Sequence, residues 1–238
     1  MFVAITVTAL WILGLCFHEF AHAIVAFAGG DKSIRDRGYL KLNPLNYIDP
    51  GASIILPTVI LLLGGVALPG GAVIVNRQKL GNRMWESMVS LAGPFATAMF
   101  AVACAALAQA DFSYEIRESL AFAAYLSCVV LILNLLPVPP LDGYGIWEPW
   151  LPKSLQEQLI PLSRYGFWIL FALLWFVPFV NALLWRSGLS MALWLGLSPD
   201  IIFDGDAVFH RHAIPLGVGC IVIAVVTHRL KRSTKKAS

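Results

Sequence analysis

Charge is what this chain has least of. Only 13% of its 238 residues are Asp, Glu, Lys or Arg, about half the roughly 25% usual in a soluble domain. A formal net charge of +3 is too small and too scattered for a nucleic-acid surface, so no nucleic-acid partner is expected. Cysteine is also scarce. Cys16, Cys104, Cys128 and Cys220 fall inside apolar runs and form no CxxC pair, so they read as small buried residues and not as a disulfide or thiolate-metal framework. The first apolar stretch lacks a basic segment before it and a small-residue cleavage site within it, so a removable signal peptide is not expected. No internal repeat is present, and the only biased segment is the basic tail "HRLKRSTKKAS".

What remains is apolar. Hydrophobic residues make up 58% of the chain and the mean hydropathy is +0.75. Several runs reach the roughly 20 helical residues that cross a hydrocarbon core of about 30 Å. The pattern predicts spans over residues 2–28, about 87–109, about 117–136, about 165–185 and about 212–228. Residues 51–71 are equally apolar but interrupted by Pro57, Gly64, Gly65 and Pro69. If that segment dips in and out on one side, the loops at 31–50, 72–86 and 138–165 and the tail share a side and carry 4, 3, 2 and 5 Lys+Arg, against 3 opposite. If it crosses, the split becomes 7 against 10. Lys and Arg concentrate on the cytoplasmic side, and irregular backbone at membrane depth is tolerated only against protein. The expectation is therefore an all-α, multi-pass plasma-membrane protein of bacterial type. It has an outer N-terminus, a re-entrant segment at 51–71 and a cytoplasmic C-terminus.

Against that background "CFHEFAHAIV", residues 16–25, stands out. Three ionisable side chains fall within five positions of a membrane helix, where each costs about 2.5–3.5 kcal/mol on insertion scales. His18 and His22 are four apart, about 40° round a helix, so both imidazoles can reach one ion. Glu19 projects beside them, where it can take a proton from water. This is the HExxH arrangement of two zinc ligands and a general base. A third ligand is needed. Val25 and Ala28 exclude the metzincin continuation, and no Glu occurs between Glu19 and Glu86. Asp142 is the candidate. It closes "LNLLPVPPLDG", where the prolines must break a helix, and the charge-derived topology puts it level with His18 and His22.

The ordered set "HEFAHAIVAFAGGD", "LNPLNYIDP", "VNRQKLGNRMWESMVSLAGPFATA" and "NLLPVPPLDG" resembles the site-2 protease family of intramembrane zinc metalloproteases, peptidase family M50. The resemblance runs over about residues 14–145. It implies a three-helix membrane core and one zinc ion per chain held by His18, His22 and Asp142. It further implies Glu19 as catalytic base and Asn134 as a residue that binds the substrate backbone. "LAGP" at 91–94 would belong to the core helix that packs against the other two. Asn46-Tyr47 and Tyr144 depart from the residues common at those places in relatives, and both lie off the implied zinc site. No stretch is long enough for a soluble regulatory domain.

The division expected is an intramembrane metalloprotease core, 1–145, followed by a membrane extension, 146–238, with additional C-terminal transmembrane helices. The function expected is hydrolysis of peptide bonds in or near transmembrane segments of other membrane proteins, within the lipid bilayer. The competing readings are a zinc or proton transporter and a catalytically silent scaffold of the same fold. His210 and His212 read as surface histidines. Trp147, Trp150, Trp185 and Trp194 read as interfacial anchors, and Glu86, Glu115, Glu118 and Glu148 as solvated groups near span ends.

Overall fold

The computed structural model describes residues 1–42 and 73–212. The expected re-entrant segment, and the last expected span but for its first residue, lie outside the described residues. Among the described residues every regular element is helical. Helix α1 runs Phe2–Ala28 and a single turn, α2, Ser33–Asp36. Then come α3, Arg83–Ala108, α4, Tyr114–Asn134, and the short α5, Asp142–Trp147. Helices α6, Lys153–Phe176, and α7, Pro178–Trp194, follow. A last helix, α8, occupies 199–212.

Three helices, α1, α3 and α4, are long and apolar enough to cross a membrane. They pack on one another as a bundle. In α4, 78% of the spanning window is buried, against 33% in α1 and 39% in α3; α4 is the central post, and the other two turn a face to lipid. Lipid tails are as apolar as a protein core, so association here depends on close packing. The shared core supplies it with small residues: Ala4, Ala101, Cys104, Ala105, Ala121, Ala124 and Cys128 are all buried. Helix α7 continues the theme, with Gly188 so close to Val129 of α4 that a Cβ there would run into its side chain.

The connections set the direction of each helix. Gly81 N–H donates to the Gly29 carbonyl at 3.0 Å, so the chain leaves α1 and enters α3 at the same end. The α3–α4 turn is short, and Arg117 Nε closes it on the Ala108 carbonyl at 3.0 Å. Antiparallel neighbours follow, and the end of α4 comes back to the level of the end of α1. Asn134 ends α4, because Pro137, Pro139 and Pro140 supply no N–H to extend it.

Three details differ from expectation. The single helix expected at 165–185 is two helices: Val177 is extended, at φ −113 and ψ 91, and Pro178 opens α7. A residue before proline is pushed out of the helical region and the proline cannot donate. Trp185 is packed against the core beside Tyr125, at 5.8 Å between rings, whereas Trp147, Trp150 and Trp194 are exposed. Glu118 is buried, because α8 lies against that end of α4 with Gly205 facing the Glu118 carbonyl.

Candidate metal centre

The second half of α1 carries His18, Glu19 and His22, all buried. Each imidazole is fixed from behind by α3. His22 Nδ1 lies 2.6 Å from the Val89 carbonyl, which can only accept, so Nδ1 carries the proton. His18 Nδ1 lies 2.9 Å from Thr97 Oγ1. The Thr97 hydroxyl donates to the Gly93 carbonyl at 3.2 Å. With that proton placed on Gly93, His18 Nδ1 is the donor to Thr97 Oγ1. In that tautomer the neutral form of each ring presents Nε2 as a bare lone pair.

Those lone pairs point at one place. His18 Nε2 is 3.1 Å from His22 Nε2, 3.1 Å from Asp142 Oδ2, and His22 Nε2 is 3.4 Å from Asp142 Oδ1. Asp142 reaches this point because α4 has stopped at Asn134 and the proline segment turns the chain into α5, whose first residue it is. With both rings neutral, these acceptors converge with no proton between them, an arrangement that repels unless a cation sits at its centre. Zinc bonds of about 2.0–2.1 Å to nitrogen and oxygen at tetrahedral angles leave neighbouring ligand atoms roughly 3.3 Å apart, and the two Nε2 atoms, 3.1 Å apart, are close to that spacing. His18, His22 and Asp142 form the one group of this kind among the described residues. The donor set, two imidazoles and a carboxylate, suits zinc.

Space has been kept for this cluster. A Cβ on Gly93 would lie 2.6 Å from His18 Nε2 and closer still to His22 Nε2. Pro94, next along, leaves the Ser90 carbonyl without its helical donor. Ser90 lines a cavity of about 580 Å³ together with His18, Glu19, His22, Asn134 and Asp142. The cavity holds all five residues singled out in the sequence.

Glu19 lies beside the cluster, and its Oε2 accepts the Val73 backbone N–H at 2.9 Å. Residues 73–76 form an irregular strap leading into a turn at Arg77–Lys79. Arg77 pairs with Glu148, just beyond α5, so the strap reaches from the α1 side of the cavity to the α5 side. The Asp31 carboxylate, buried behind the strap, accepts the Asn76 N–H at 2.7 Å. Burial pushes the Asp31 carboxyl up, but bonds from Ser33 and Asn76 outweigh it and hold the group below the usual carboxylate range. His210 and His212 lie on α8, which packs at the N-terminal part of α4, away from Asp142. His210 pairs there with Asp206 at 2.8 Å.

Sequence reasoning missed Thr97, the Val89 carbonyl, Asp31 and Val73. Gly93 and Thr97, four apart in "LAGPFATA", carry a faint signal: small residues on the α3 face that meets the histidines.

No protein-family model and no solved structure matches the chain. Curated relatives do. A protein of Mycolicibacterium smegmatis named "Putative zinc metalloprotease Rip2" is 42% identical over 201 residues, 80% of this chain and 77% of the relative. The Mycobacterium tuberculosis protein of the same name is 37% identical over 214 residues, 89% of this chain and 78% of its own length. A Bacillus subtilis protein named "Putative zinc metalloprotease YwhC" is 33% identical over 186 residues, 73% of this chain and 81% of that protein. A multi-pass helical chain with an HExxH helix, matched along most of its length by these relatives, belongs to the site-2 protease (M50) family of zinc metalloproteases.

Proposed function

We propose that this protein is an intramembrane zinc endopeptidase that hydrolyses peptide bonds in or near transmembrane segments of other membrane proteins. His18, His22 and Asp142 hold one zinc ion per chain, Glu19 is the general base and Asn134 binds the substrate backbone. The site faces the cytoplasmic side of the bilayer, as does the C-terminus. The observation that carries this reading is the convergence of two imidazoles and a carboxylate on one point beside a buried carboxylate, inside a helical bundle.

When bound, zinc supplies Lewis acidity towards water and a peptide carbonyl. The remaining work falls to the chain. Val89 and Thr97 hold the two rings in the tautomer that presents Nε2, the second-shell support usual behind metal-bound histidine. One Glu19 oxygen is occupied by the Val73 amide. The other takes the proton of the attacking water and passes it to the leaving amine. A helical substrate must unwind before its carbonyl is accessible. Asn134, at the last position of α4 and on the cavity wall, offers both amide donors and an acceptor to such an extended backbone.

The test is Glu19→Gln, which keeps the shape and the bond from Val73 but removes the base. Purified variant and wild type should hold the same zinc, and only the wild type should cleave membrane-protein substrates. Cleavage persisting in the variant would overturn the role given to Glu19; cleavage by neither, with zinc in both, would favour the silent scaffold.

A further inference from the structure

The cavity accounts for the buried polar groups of α1, but not for Asp31. This residue has 0% of its surface exposed and touches none of the converging ligands. A buried carboxylate is costly unless fully bonded, and Asp31 is. Oδ1 accepts the Ser33 N–H at 3.2 Å and the Ser33 hydroxyl at 2.6 Å. Oδ2 accepts the Asn76 N–H at 2.7 Å. Its own backbone N–H donates to the Ala26 carbonyl at 3.0 Å, so the carboxylate is a fixed extension of α1.

Asn76 is three residues from Val73, a reach of about 10 Å for extended chain, and Val73 is where the strap meets Glu19. One helix therefore fastens the strap twice, at Asp31 and at Glu19. The two bonds differ in kind. Asp31 serves no chemistry, so its short, charge-assisted bond is free to act as the anchor. Glu19 must change protonation, so its bond to Val73 depends on the strap being delivered to it. Arg37 adds a bond to the Ile74 carbonyl at 2.7 Å, but from an exposed side chain.

We infer that Asp31 is a positioning residue: it holds the 73–76 strap so that the Val73 amide meets Glu19 and aligns its carboxylate. This rests on the reading of Glu19 as general base. Its loss should act on the chemical step, leaving the metal and substrate affinity in place.

The test is amide hydrogen exchange, read by mass spectrometry with residue resolution, on the zinc-loaded full chain in detergent micelles. In Asp31→Ala, exchange should speed up at both Asn76 and Val73, by about tenfold or more for loss of a charge-assisted bond. Ser33→Ala should leave both within about twofold, because the Oδ2 bond is untouched. Glu19→Ala should release Val73 and leave Asn76 protected, giving the order of dependence. Asp31→Asn is read in parallel, so that a misfolded alanine variant, marked by lost protection across α3 and α4, does not decide the matter. Val73 still protected in a folded Asp31 variant overturns the inference. In the activity arm, dye-labelled casein is the probe. Asp31→Ala should lose about 10- to 100-fold in kcat, the scale of a misplaced catalytic group, with KM and zinc content unchanged. A raised KM or lost zinc with unchanged kcat would count against positioning. Cleavage surviving in Glu19→Gln removes the reading of Glu19 and leaves the strap standing. Intact Val73 protection without Asp31 removes only the inference.

Discussion

The bundle of α1, α3 and α4 and the helix α6 are built from the same apolar alphabet, yet they are put together differently. In the bundle, small residues bring helices into close contact, and the polar side chains His18, Glu19, His22, Ser87, Thr97, Ser119 and Ser127 are buried. Helix α6 shows the reverse. Ile160, Tyr165, Trp168, Leu173 and Phe176 are exposed, and Leu170 is its one buried large apolar residue among those described. It bends by 59° between Lys153–Gly166 and Trp168–Phe176. It meets the site where Gly166 lies against the Pro139 carbonyl and where Leu170 lines the cavity. In a bilayer, exposed apolar surface has no cost, so helices without polar work need little packing. Buried polar groups need fixed partners, and rigid packing is found where they are. Relatives align over most of the chain, but the candidate site lies in the packed half.

The sharpest way to break this contrast is Gly93→Ala. One methyl group placed against both imidazole Nε2 atoms should empty the metal centre; zinc per purified chain should fall to background and cleavage with it. Wild-type zinc content in that variant would mean that α3 does not fit against the histidines as closely as described. Thr97→Val is milder. It removes the acceptor that holds His18 in its tautomer while keeping the shape, and changes of this kind cost about 10- to 100-fold in metal affinity. Competition with a zinc chelator would measure it.

Acid titration probes the strap. The carboxyl of Asp31 is depressed in the folded state, so its contribution to stability is fully present above its unfolded value of about 3.9. That contribution is lost as pH falls through the lower folded value. Thermal unfolding in detergent from neutral pH downwards should therefore be steeper for wild type than for Asp31→Asn at the acid end, with the two curves converging there. The smallest effect is expected on α6. Phe176 is 73% exposed, and Phe176→Ala should stay within about 0.5 kcal/mol in stability, the range for substitutions away from packed features. A large loss would show that this face is covered by protein and would erase the contrast.

Much of this was legible in the sequence. The apolar runs located α1, α3 and α4. The four-residue spacing of His18 and His22 put both rings on one face, and the prolines before Asp142 marked where a carboxylate could turn inward. What was hidden depends on tertiary contact. His22 is paired with a backbone carbonyl 67 positions away and His18 with a hydroxyl 79 away, and no periodicity encodes such partners. Asp31 reads as an ordinary turn residue after two glycines until Asn76 is seen beside it. Glu118 reads as a solvated end of a span until α8 covers it. The break at Val177 falls at Pro178, inside an apolar run whose composition is the same on either side.

The central claim is that His18, His22 and Asp142 grip one divalent ion. Zinc K-edge absorption spectroscopy on the purified chain tests it most directly. The account predicts one zinc per chain, with two imidazole nitrogens and only oxygen otherwise at about 2.0–2.1 Å, and loss of bound zinc in Asp142→Ala. A sulfur ligand near about 2.3 Å, or full zinc occupancy without Asp142, would contradict it.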